Sequence, residues 1–188
     1  MLSRFMCAAV VALVPAIAVA QSAQPYAGFE KRPVKALSEQ QIADLRAGRG
    51  MGFALAAELN GYPGPIHVLE LADRLKLDAA QKAKMQALYD AMKAEAIPLG
   101  ERLIAQEAVL DGKFSRRDIT EASLSQTLSD IGATQAALRN THLKYHLETR
   151  AALSPHQIAM YQQLRGYGGA QGAGGHGAGG HGGHRHGN

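Results

Sequence analysis

The sequence predicts an all-α protein built on one long antiparallel helical hairpin with short flanking helices. Three observations predict it. A helix-start pattern, Leu-(Ser/Asp)-x-x-Gln, occurs three times, at Leu37-Ser38-Glu39-Gln40-Gln41, Leu77-Asp78-Ala79-Ala80-Gln81 and Leu153-Ser154-Pro155-His156-Gln157. Each supplies a capping oxygen and, three residues on, the Gln that closes a capping box. Apolar residues then recur at helical spacings, and Leu, Ala and Met outnumber aromatic side chains, the composition of helix-on-helix packing.

The first 20 residues stand apart. Arg4 gives a positive start, Phe5 to Val14 an apolar run, and Ala18-Val19-Ala20 a small-residue cleavage site before Gln21. This is the pattern of a secretory signal peptide over residues 1–20, with cleavage after Ala20 and export of the remaining chain. No later stretch is long and apolar enough to span a membrane. Cleavage also removes Cys7, the single cysteine, so the exported chain carries no disulfide into an oxidising compartment. Without Arg4 the balance is 19 basic to 16 acidic residues, too mild to argue for nucleic acid.

Gln21 to Ala36 mixes Pro25, Gly28 and Pro33 with charges and reads as a flexible arm over 21–36. The helical domain is expected over 37–166. Ser38 caps a first helix whose loose stripe is Ile42, Leu45, Met51, Leu55 and Leu59, ending at Asn60-Gly61-Tyr62-Pro63-Gly64-Pro65. The glycines at 48, 50 and 52 lack the preceding strand and full spacing of a phosphate loop, and read as a weak or bent helix. Pro65 opens a short second helix through Ile66, Leu69, Leu71 and Leu75.

Asp78 caps a long third helix to about Leu110, with the narrow stripe Met85, Leu88, Met92, Leu99, Leu103 and Leu110. Pro98 inside it predicts a kink and not a break, since the stripe resumes in register. Asp111 to Arg117 reads as a turn. Thr120 caps the fourth helix, with the stripe Leu124, Leu128, Ile131, Leu138, His142 and Tyr145. The last helix runs from Pro155 to about Leu164 and stops at Gly166. Residues 167–188 form a tail of low complexity: from Gly168 on it holds 11 Gly and four His in 21 residues, too little apolar surface to fold by itself.

Chemistry-bearing residues are few. His142 and His146 stand one helical turn apart, the spacing that presents two imidazoles to Zn, Ni or Cu. No Glu follows His142, so the general base of a zinc hydrolase is missing. Further ligands have to come from elsewhere, such as His67, Glu70, His156 or a dimer mate. The competing reading has His142 and His146 as packed, hydrogen-bonded, metal-free residues of the helix seam. The tail histidines His176, His181, His184 and His186 suit a weak, unselective metal site or a solvated spacer. No nucleophile constellation and no acid–base carboxylate pair is present. An enzyme is not expected, and no cofactor is required.

The motif positions Leu77, Asp78 and Gln81, with Leu153, Ser154 and Gln157, resemble the LTxxQ-motif family of bacterial envelope proteins. That family includes the Spy and CpxP chaperone-like proteins and related heavy-metal-resistance sensors. Asp and Ser stand here at the Thr position, and both cap equally well. The resemblance implies a long hairpin in an elongated or curved homodimer, with no ATP requirement. It implies two functions: holding unfolded envelope clients on an exposed apolar helical face, or sensing Zn, Ni, Cu or Co. For clients, Met85, Met92, Leu99 and Leu103 are the expected contacts; for metal, His142, His146, His67 and the tail histidines.

Overall fold

The structure is a computed structural model that describes residues 24–167. The expected signal peptide and all four tail histidines lie outside the described residues. Six α-helices follow a short 3-10 turn at Phe29–Lys31: α1 (Glu39–Arg46), α2 (Leu55–Glu58), α3 (Pro65–Glu70), α4 (Ala79–Arg116), α5 (Glu121–Ala151) and α6 (Pro155–Arg165). No strand occurs among the described residues. Helices α4 and α5 pack against each other along their length as the hairpin, and α1 and α3 both pack on α4.

All three Leu-(Ser/Asp)-x-x-Gln starts form complete capping boxes, at Ser38/Gln41, Asp78/Gln81 and Ser154/Gln157. Thr120 and Ser123 form a fourth at the start of α5. Each box satisfies two backbone N–H groups that the helix itself leaves free, and losing the capping side chain costs about 1 kcal/mol. Helix α6 ends at Gly166, in the left-handed conformation that glycine takes without a Cβ penalty.

Five boundaries and stripes differ from expectation; the second helix, for one, ends at Glu70, and Leu71 to Lys76 follow as turns. The first helix does not run to Leu59. It stops at Arg46, where Gly48 turns left-handed, and Met51 and Gly52 also take positive φ before α2 begins. The segment Asp111 to Arg116 is not a turn but the last part of α4. One glycine, Gly112, costs a helix only about 1 kcal/mol. The Lys35 ammonium also pairs with Asp111 at 2.7 Å, tying residues 34–36 to this end of α4. Val34 is itself buried, so the expected flexible arm is docked at its C-terminal end.

On α5 the buried stripe is Thr127, Ile131, Thr134, Leu138, Thr141 and Tyr145, and Leu128 is exposed. These residues alternate at steps of four and three, a heptad seam whose second position is threonine. Threonine is tolerated where its hydroxyl bonds the carbonyl four residues back, as Thr127 does to Ser123 (2.7 Å) and Thr149 to Tyr145 (2.7 Å). Helix α4 remains unbroken across Pro98, which lies on its exposed side beside exposed Ala94, so water can reach the carbonyl left without a partner.

Two apolar clusters hold the hairpin. One gathers Val68, Leu75, Leu77, Met85, Leu88, Met92, Tyr145, Leu153 and Tyr161, where α3 and α6 close over the start of α4 and the end of α5. The other, toward the α4–α5 connection, holds Val34, Leu45, Ala96, Leu103, Ile104, Ile131 and Leu138. There α1 crosses α4 at Gly100, and a Cβ at that glycine would lie 2.5 Å from the Leu45 carbonyl oxygen. Glycine is the residue that admits this backbone approach.

Candidate functional site

The two helix-start motifs meet each other. The Gln81 and Gln157 amides exchange hydrogen bonds, Gln81 Nε2 to Gln157 Oε1 at 3.0 Å and Gln157 Nε2 to Gln81 Oε1 at 2.9 Å. Gln81 Nε2 also donates to the Ala152 carbonyl, and Gln157 Nε2 lies within reach of the Leu75 carbonyl. Each glutamine thus closes its own capping box and clamps the other helix start, 76 residues away in sequence. This pairing explains why the position is Gln: a Glu would accept but could not donate across the clamp.

Beside the clamped end, α5 and α3 present their histidines to one cavity of about 190 Å³. Its walls include His67, His142, His146, Glu58, Met51 and Met92. The backbone between α1 and α3 forms its cover. His146 donates from Nδ1 to the Tyr62 carbonyl at 2.6 Å. His67 donates from Nδ1 to the Glu70 carboxylate at 3.1 Å. A carbonyl and a carboxylate accept only, so the neutral form of each imidazole carries its proton on Nδ1 and has its lone pair on Nε2. Gly64 packs on His146, where a Cβ would lie 3.0 Å from Nε2.

His142 is 2% exposed, stacks on the Phe53 ring at 5.9 Å, and its buried Nε2 has no hydrogen-bond partner. Burial, together with nearby His146, pulls its pKa down to about 4. Burial also lowers His146, against the opposing pull of the Tyr62 carbonyl and the Glu58 carboxylate. His142 is therefore neutral at pH 7, the form in which imidazole binds metals.

Glu58 is a buried carboxylate that no motif or spacing marks strongly. It accepts from Tyr161 Oη and from the Gly64 N–H at 3.1 Å, with Arg165 Nε at 3.8 Å and His146 Nδ1 at 3.7 Å. Burial and this hydrogen bond raise the Tyr161 pKa. Glu58 thereby joins α2 to α6 and to the cavity floor. Its isolated place between Ala57 and Leu59 was the available signal, but the partners come from distant segments.

Of the expected metal ligands, the structure brings His67, His142 and His146 to one cavity. Among the described residues, no group of three or more His, Cys, Asp or Glu side chains is arranged to hold a metal ion. The expected client contacts need correction. Met85, Met92 and Leu103 are 0%, 6% and 4% exposed, because the narrow stripe they form is the hairpin's own seam. Leu99 is half-buried against the second cluster.

The exposed large apolar side chains lie elsewhere. Val109 and Phe114 near the end of α4, and Leu128 near the start of α5, are each half or more exposed, as are Leu55, Leu59 and Leu147.

A family model described as LTXXQ motif family protein matches residues 66–165, more than half of the chain and both paired motifs. The chain belongs to the LTXXQ motif family. The matched LTXXQ region begins within α3 and ends at the last residue of α6, so it includes the Gln81–Gln157 clamp and all three cavity histidines. No curated protein and no solved structure matches the chain. No described helix is long and apolar enough to cross a membrane.

Proposed function

We propose that this LTXXQ-family chain is a periplasmic, non-enzymatic, ATP-independent chaperone of the Spy/CpxP kind, acting as a homodimer on unfolded envelope proteins. The observation that carries the reading is the open end of the hairpin. There Val109, Phe114 and Leu128 stand exposed where α4 and α5 approach their connection, whereas at the opposite end, where Leu55, Leu59 and Leu147 are also exposed, α3 and α6 fold over the hairpin. A groove between the two helices, lined by Arg102, Ala105, Gln106, Val109, Thr127 and Asp130, adjoins these residues. Exposed apolar side chains offer weak, broad binding to unfolded segments. The test is light scattering by a heated or reduced client with the protein in a few-fold excess. Wild type suppresses aggregation, and the Val109→Ser/Phe114→Ser/Leu128→Ser variant loses most of that suppression. Failure of the wild type with several clients overturns the reading.

The cavity favours a second role, response to a transition metal. It rests on the unpartnered Nε2 of His142 and on the Nδ1 hydrogen bonds of His67 and His146, the outer contacts that orient metal-binding imidazoles. The reading expects metal binding that survives replacement of His176, His181, His184 and His186 by Ser and is lost in His142→Gln/His146→Gln. Loss of all binding with the tail histidines alone removes the helical site.

A further inference from the structure

The chemistry of the cavity's donors narrows the metal, an inference that rests on the metal-responsive reading above. Two thioethers, Met51 and Met92, line the same cavity as His142 and His146. The carboxylate at the wall, Glu58, is already engaged by Tyr161, the Gly64 N–H and Arg165. The available donors are therefore neutral nitrogen and sulfur.

Two properties of such a site discriminate among cations. The cost of burying an ion rises with the square of its charge, so a cavity without a free anionic ligand disfavours a divalent ion. Thioether is a soft ligand that selects Cu(I), whereas Zn(II) sites are commonly closed by four ligands that include thiolate, imidazole or carboxylate. Cu(I) needs only two or three neutral donors, and imidazole and thioether are both neutral. The cover adds a further observation. Met51 holds a positive φ of 41° between Gly50 and Gly52, and strained backbone of this kind persists where the surroundings over-determine it, often at ligand clamps.

We propose that the cavity binds a soft monovalent cation, Cu(I), through His142, His146 and the Met92 thioether, with Met51 at its cover. No electron transfer is involved; the ion binds and leaves as Cu(I).

The test uses the full-length chain with His176, His181, His184 and His186 replaced by Ser. Cu(I) is titrated without oxygen against a chromophoric Cu(I) chelator, with Ag(I) as a redox-inert surrogate and Zn(II) in parallel. One Cu(I) per chain is expected, held more tightly than Zn(II). Met92→Leu keeps the shape and apolarity of the buried side chain, so it is expected to melt near the parent temperature and to weaken Cu(I) by about tenfold or more, leaving Zn(II) unchanged. Unchanged Cu(I) affinity in a folded Met92→Leu chain overturns the thioether assignment. Zn(II) held more tightly than Cu(I), with both lost in His142→Gln/His146→Gln, overturns the soft-metal inference and leaves the metal reading standing. No metal retained by the tail-substituted chain overturns both.

Discussion

The two ends of the hairpin are built from the same helices and finished in opposite ways. At the motif end, α3 and α6 fold back over α4 and α5, the Gln81 and Gln157 amides lock the two helix starts, and Tyr161 is fully buried on Glu58. At the other end, α4 and α5 run out to Arg116 and back from Glu121, and Val109, Phe114 and Leu128 are left uncovered. A two-helix layer cannot bury both of its faces, so the flanking helices decide which surface is core and which is free. The closed end fixes the fold and shapes the histidine cavity, and the open end is the surface proposed here for clients.

The largest expected effect is at the clamp. Gln157→Ala removes the reciprocal bond of its capping box and leaves the Gln81 amide short of its partner in a largely buried setting. About 3 kcal/mol of stability should be lost, read by chemical denaturation. In a double-mutant cycle with Gln81→Ala the two changes should fall short of additive by about 1 kcal/mol. Additive losses would mean that the two motifs stabilise their helices separately.

Acidification should act on the same end through the buried histidines of the metal-free chain. His142 has a folded pKa of about 4, below its unfolded value of about 6.5. The unfolded chain therefore takes up the proton first as pH falls. The contribution is complete above pH 6.5 and is lost between 6.5 and 4, by about 2 kcal/mol at pH 5. Denaturation at pH 7.5 and 5 measures it, and His142→Phe, stacked on Phe53, should remove most of the difference.

Gly100→Ala comes next. The added methyl meets the Leu45 carbonyl, and α1 has to lift from α4; against a helix-propensity gain of up to about 1 kcal/mol, a net loss of about 1–2 kcal/mol is expected. A stabilised chain would show that α1 is not seated there. The smallest effect on stability belongs to the open end. Val109→Ser, Phe114→Ser and Leu128→Ser should each cost no more than about 1 kcal/mol, because half or more of each side chain is already in water.

How far the sequence carried this account follows from the range of each interaction. Caps are local, so Ser38, Asp78, Thr120 and Ser154 could be placed from a few neighbours, and α5 and α6 begin where those residues indicate. The break after Arg46 was not legible, because the apolar spacing continues through Met51 and Leu55 while the backbone turns left-handed at Gly48. The periodicity of Met85, Met92 and Leu103 marks a seam, but a seam can serve a partner or the chain itself, and here the other helices of the chain occupy it. The pairing of Gln81 with Gln157, and of Glu58 with Tyr161, joins segments far apart in sequence. Spacing paired His142 with His146 and made His67 a candidate; the fold brings His67 to the same cavity and adds Met92 and an unpartnered Nε2.

The most direct test asks which end of the hairpin a client touches. Hydrogen–deuterium exchange of the full chain, alone and with an unfolded client, should show added protection around residues 106–130 and little change over 79–92 and 145–161. Protection confined to the motif end, with the open end unchanged, would contradict the account.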